Sequence, residues 1–291
     1  MLHIPPSHRK YFIDLPLARL HVLETGKGTP LIMVPATISE LQNWLPLAQF
    51  MGQWFHVYFF ELPGHRQSEP FREPFSSQRV AQLIEQLADK LGFERFSLMG
   101  FSFGGILAMQ TFKHLSARID RVVFIAPCLD HRALPFSSFR LSVLYRFNRF
   151  LSDPKVQKHF YNLVRNEFTV SVVVRMLQKV GRLEDTMPLE KKLLHTAPST
   201  ISVLNAQIHE ILTTEFEVAP IKYQTPCYFA MSVYDPLLRF DVTLNVVYNH
   251  FENVKAVPLF YPFHQPPGDF TYEELNQNFY GTVDDFICLS A

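Results

Sequence analysis

The chain has 291 residues, 47% of them hydrophobic and 19% charged, enough to bury a large core as one α/β domain or a domain carrying an insert. Lys plus Arg and Asp plus Glu number 27 each, so the zero net charge offers nothing general to nucleic acid, and the composition is not that of a disordered chain. Cys128, Cys227 and Cys288 are widely spaced without metal-like pairing, the start MLHIPPSHRKYF has no apolar signal region, and no segment is of membrane-spanning length, so the expectation is a soluble cytoplasmic protein.

In chain order, PLIMVPA (30–36) and HVYFFELPG (56–64) read as buried strands that end at turn residues. A helix follows in SQRVAQLIEQLADKLGF, with Val80, Leu83, Ile84, Leu87, Ala88 and Leu91 at helical spacing. RFSLM (95–99) is a strand, 103–115 a helix, and RVVFIAPC (121–128) another strand. This alternation predicts a mostly parallel sheet with helices on both faces. It breaks from Asp130 to about Thr200, where helical patches such as FRLSVLYRFNRFL and VSVVVRMLQKV are cut by prolines, although VSVVV alone also fits a strand. Alternation returns with the strand PCYFAMSVYDP (226–236), a helix over 241–250 and the strand-like VKAVPLFYPF. A last helix opens with Thr271 and Glu274 at capping-box spacing and runs to about Leu289. The expected organisation is a core of 1–129 and 201–291 with a mainly helical insert at 130–200.

Three of only 11 glycines, Gly100, Gly104 and Gly105, flank a serine in MGFSFGG, between a strand and a helix. A serine hydroxyl is a weak nucleophile unless a base and oxyanion donors stand beside it. A tight strand–turn–helix bend supplies the setting, because the helix N-terminus brings free N–H groups and a positive dipole end.

GFSFGG in this context resembles the α/β-hydrolase superfamily, and other segments resemble it in order and spacing. HVYFFELPGHRQS is similar to that family's strand and D-x-x-G-x-G-x-S segment, with Glu61, Gly64 and Ser68 in loose correspondence. PCYFAMSVYDP resembles the strand that delivers the triad acid, and FYPFHQPP the loop that delivers the histidine. The resemblance implies a nucleophile Ser102, an acid Asp235 and a general base His264, in the family's order. Asp130, just past the strand ending at Cys128, competes for the acid role, because some members of the superfamily carry it there. The resemblance also implies oxyanion donors in the backbone N–H groups of Phe103 and Thr37; Phe101, an apolar residue beside the elbow, is expected to face the substrate.

Two departures stand out. Pro35 and Ala36 replace the family's H-G pair before Thr37; proline lacks an N–H, and alanine would strain the loop if φ there were positive. Arg66 stands where the segment usually has glycine, and its charge is read as pointing to solvent. A serine at the elbow argues against the aspartate-nucleophile branches, haloalkane dehalogenases and epoxide hydrolases. No P-loop, dinucleotide fingerprint or H-E-x-x-H is present, so no cofactor or metal is implied.

The insert, 130–200, holds 12 Lys and Arg against 6 Asp and Glu, a net +6 that the rest of the chain balances with −6. It is rich in aromatics, among them Phe136, Phe139, Phe147 and Phe150, and is expected to act as a lid over Ser102 that selects an apolar substrate. The function expected is a serine hydrolase acting on a carboxylic ester or thioester of an apolar acyl group. C–C bond hydrolysis and acyl transfer fit the same triad, and a non-catalytic binding or regulatory protein of the same fold is the alternative from another class.

Overall fold

The computed structural model describes residues 4–37, 39–164, 198–264 and 271–289. Eight strands form one sheet: β1 (His8–Asp14), β2 (Arg19–Gly26), β3 (Thr29–Val34), β4 (Phe55–Phe60), β5 (Phe96–Phe101), β6 (Ile119–Ile125), β7 (Cys227–Ser232) and β8 (Val254–Leu259). Their order is β1-β2-β4-β3-β5-β6-β7-β8; β2 pairs antiparallel with β1 and β4, and every other pairing is parallel. Of the parallel strands, the central β5 and β7 are buried at every position, whereas the edge strand β8 is only half-buried.

Such a sheet must be covered twice. α2 (Ser77–Lys90), α3 (Gly104–Leu115) and α7 (Phe240–His250) pack on one face around Leu83, Phe112 and Val247. α1 (Leu41–Met51) and α8 (Tyr272–Leu289) cover the other with Leu47, Phe50, Val283 and Phe286. α2 starts at Ser76, whose hydroxyl accepts from the Arg79 N–H, and buries the expected face at Val80, Leu83, Ile84, Leu87 and Ala88. The capping box is formed: Glu274 N–H donates to Thr271 Oγ1 at 3.2 Å, and Thr271 N–H donates back to Glu274 Oε2 at 3.1 Å.

Between β6 and β7 lie α4 (Ser138–Leu151), α5 (Pro154–Val164) and α6 (Pro198–Thr213). The stretch VSVVVRMLQKV falls outside the described residues. α6 joins the two layers. On one side the Thr200 hydroxyl donates to the Gly64 carbonyl at 2.7 Å, and Glu210 accepts from the Ser77 N–H. On the other, Asn205 accepts from Asn148 of α4 at 2.9 Å.

The hairpin of β1 and β2 and the helix α1 have no counterpart in the sequence reading. β2 is buried, yet it carries His21, Glu24 and Thr25 among its apolar residues. Burial opposes a charge on Glu24, but hydrogen bonds from Tyr11, His56 and Arg9 outweigh it and hold the carboxyl below its usual value. A satisfied polar network thus replaces the apolar run that marks the other strands.

Candidate active site

Ser102 sits between β5 and α3 with φ +53, a left-handed conformation that a side chain adopts only under constraint. The constraint is visible on both sides. A Cβ at position 100 would collide with the Gly104 carbonyl, and one at 104 would lie 2.7 and 2.8 Å from the carbonyl oxygens of Val34 and Pro35. The serine backbone is pinned to β6: its N–H donates to Ile125 O at 3.1 Å, and its carbonyl accepts from Cys128 N–H at 2.8 Å.

His264 follows β8, and Asp235 follows β7. His264 Nε2 lies 2.8 Å from Ser102 Oγ, and its Nδ1 lies 2.7 Å from Asp235 Oδ2. Asp235 has a fully buried side chain whose other oxygen accepts from the N–H groups of Leu237 (2.8 Å) and Leu238 (3.0 Å). With Nδ1–H donating to the carboxylate, Nε2 is left as the acceptor for the serine proton. Ser232, at the end of β7, donates its hydroxyl to the Tyr261 carbonyl and accepts from the Tyr234 N–H. It ties the aspartate loop to the histidine loop, a role sequence reasoning did not assign. Burial, with the Asp235 charge adding, pushes the Tyr261 phenol up to about 12, so this neighbour stays neutral.

Asp130 is elsewhere. Its buried carboxylate caps the turn at 131–133 by accepting from Arg132 N–H, and is held by the Arg132 guanidinium at 2.5 and 3.0 Å. Phe101 is buried beside the histidine, with ring centroids 5.7 Å apart, and meets Trp44 edge-on at 5.0 Å. Trp44, on α1, is a second residue the sequence reading missed; only its place on an unrecognised helix would have revealed it. Phe103 is buried, and among the described residues no backbone carbonyl accepts from its N–H. Thr37 is half-buried in the loop after β3, which the Gly104 contact places against the head of α3.

The departures from pattern are accommodated. Among the described residues only Arg66, Ser102 and Ala126 are non-glycine residues with positive φ, so Ala36 needs no glycine-like turn. Arg66 does adopt φ +46, the conformation glycine takes freely, and reaches Glu40 at 2.8 Å across the surface. Glu61 anchors the same loop: its carboxylate faces His21 Nδ1 at 3.1 Å and accepts from Gln67 N–H at 2.9 Å. Among the described residues no group of three or more His, Cys, Asp or Glu is arranged to hold a metal ion.

His65, next to Arg66, is buried, and that burial together with the Arg66 charge pushes its imidazole down to about 4. The unfolded chain then takes up this proton near the ordinary value of 6.5 and the folded chain only near 4. Stability is therefore complete above 6.5 and declines as pH falls between the two. Unfolding free energy from urea titrations should fall by about 2 kcal/mol between pH 7 and pH 5 through this group, and His65→Gln should remove that part of the slope.

Strand order, helix placement and the Ser–His–Asp row together define a hydrolase-type α/β architecture. Residues 29–188 match the alpha/beta hydrolase fold family, and the chain belongs to it. It is similar to pimeloyl-[acyl-carrier protein] methyl ester esterase of Nitrosomonas europaea, 29% identical over 206 residues, 68% of this chain and 74% of the relative. It also resembles N-formylmaleamate deformylase of Pseudomonas putida, 28% identical over 38% of this chain, which spans 41% of that relative. A hydrolase from Pseudomonas aeruginosa has the same fold, with a TM-score of 0.67 and 16% identity over 96% of this chain and 98% of that one.

Proposed function

We propose that the protein is a serine hydrolase that cleaves a carboxylic ester or thioester of an apolar acyl group through an acyl-enzyme. The observation that carries this reading is the row Ser102 Oγ, His264 Nε2, His264 Nδ1, Asp235 Oδ2, with gaps of 2.8 and 2.7 Å. Ser102 is the nucleophile, His264 the general base and Asp235 the acid that fixes its tautomer.

The steps follow from that row. Ser102 Oγ forms a bond to the acyl carbon as His264 Nε2 takes its proton, and the carbonyl electron pair moves to oxygen. The backbone N–H groups of Phe103 and Thr37 receive the oxyanion, aided by the positive end of α3. Collapse of the intermediate expels an alkoxide or thiolate, which recovers the proton from His264. Water then repeats the sequence, releasing acid and regenerating Ser102.

Phe101 beside the histidine, with Trp44 edge-on against it, supports an apolar acyl group, and the similarity to an enzyme named for a methyl ester supports a carboxylic ester. In this reading residues 130–200 cap the site and the remainder carries it. Three free cysteines, two of them buried, suit a reducing cytoplasm.

A p-nitrophenyl ester series from acetyl to dodecanoyl tests the substrate class. Each added methylene is worth up to about 0.8 kcal/mol, so kcat/KM should rise severalfold per carbon until the pocket is full. A flat profile, or strict preference for acetyl, would contradict an apolar acyl pocket.

A further inference from the structure

The outward face of α4 is apolar where an ordinary surface helix is polar. Its inward face is fixed by contacts to α6: Asn148 Nδ2 donates to Asn205 Oδ1 at 2.9 Å, Tyr145 meets His209 with ring centroids 5.8 Å apart, and Asn205 Nδ2 donates to Ser152 just beyond the helix. At 100° per residue the opposite side carries Phe139, Val143, Phe147 and Phe150 within an arc of about 80°. These four are 78%, 49%, 56% and 60% exposed, and Phe136 just before the helix is 41% exposed. Four large apolar side chains in one stripe exceed the scattered exposure that needs no explanation.

The charges flanking the stripe are all of one sign. Arg146 and Arg149 project along one border and Arg140 along the other, and α4 contains no carboxylate. Lys155 and Lys158 on the following helix add to this, against the single acidic residue Asp153. An apolar stripe bordered by arginines is the pattern of a helix that lies in a membrane interface, with the aromatics at the acyl boundary and the guanidinium groups at lipid phosphates. A second copy fits less well, since a two-fold contact through this stripe would bring arginine against arginine. Among the described residues no helix is long and apolar enough to cross a membrane, so the association would be peripheral.

We propose that this face of α4 docks the protein on an anionic phospholipid surface. The chain enters the segment bearing α4 directly after Cys128, whose N–H is bonded to the Ser102 carbonyl. A lipid surface bound there would supply amphiphilic molecules to the end of the sheet that carries Ser102. The docking itself does not depend on the chemistry proposed for that serine.

Co-sedimentation of the full chain with vesicles tests it. Vesicles of phosphatidylcholine alone are compared with an equal mixture of phosphatidylcholine and phosphatidylglycerol, at low and high salt. Binding should be at least about tenfold tighter to the mixed vesicles and should weaken with salt. Each arginine near the surface is worth about fivefold, so the triple variant Arg140→Gln, Arg146→Gln, Arg149→Gln should lose at least about tenfold. The triple variant Phe139→Ser, Phe147→Ser, Phe150→Ser should lose binding to a similar extent with an unchanged far-ultraviolet spectrum; if it does not fold, Phe150→Ser alone carries the comparison. No binding to the mixed vesicles would assign the face to another occupant, such as residues 165–197 or a protein partner, and overturn the proposal. Equal binding to both vesicles, or variants that bind as the parent does, would also overturn it. So would a lipid-free dimer that the phenylalanine substitutions dissociate.

Discussion

Ser102→Ala and His264→Ala should each lower kcat by about 10⁴- to 10⁶-fold, and the double variant should be hardly worse than either. The expectation follows from the 2.8 Å contact between Ser102 Oγ and His264 Nε2. Without the base, the hydroxyl keeps its proton; without the hydroxyl, the base has nothing to activate. Each substitution therefore removes the same step, and the losses do not multiply. Because Ser102 holds φ +53, replacing it by alanine keeps the strained backbone, and the fold should survive both changes. Steady-state kinetics of the three variants measure this. Multiplicative losses would mean that the two groups act in separate steps.

Asp235→Asn should lower kcat by about 10⁴-fold, through loss of the tautomer that leaves Nε2 as an acceptor. An amide at 235 can donate to Nδ1, which then turns the other nitrogen into the wrong partner for Ser102. Asp130→Asn should leave kcat nearly unchanged and lower the melting temperature instead, because its buried carboxylate is held by Arg132 and caps a local turn. The two substitutions are chemically identical, so their contrast isolates position from chemistry. A large kinetic loss at Asp130 with little at Asp235 would reverse the assignment.

The parts of the fold legible in the sequence are those with a single, undivided signal. α2 was readable because its buried positions repeat at helical spacing and a serine caps it. The central parallel strands were readable because they are apolar runs buried on both faces. The turn at Ser102 was readable because close backbone approach leaves glycine as the residue that fits at 100 and 104. The hairpin β1–β2 was not, because β1 is largely exposed and β2 buries polar residues that distant partners satisfy. α1 hid behind Pro46 inside it and the lack of a side-chain cap at Glu40. Its loss took Trp44 with it.

The candidate site divides in the same way. Chain order and motif placed Ser102, Asp235 and His264 on three strand ends and favoured Asp235 as the acid, but left Asp130 after β6 as a competitor. In the structure Asp235, not Asp130, faces His264 Nδ1 at 2.7 Å, while the Asp130 carboxylate is engaged by Arg132. Arg66 at a glycine position has a local cause, a left-handed turn tolerated at the surface with Glu40 as partner. Ser232 carries no sequence signal, because its contact to the Tyr261 carbonyl joins positions 29 residues apart.

The most direct measurement is covalent labelling of the intact protein with a fluorophosphonate, followed by peptide mapping. The reagent reacts with a serine whose proton is drawn off by a neighbouring base, so labelling should occur on Ser102 alone and should disappear in His264→Ala. An unlabelled protein, or a label on another residue, would contradict the assignment of Ser102 as an activated nucleophile.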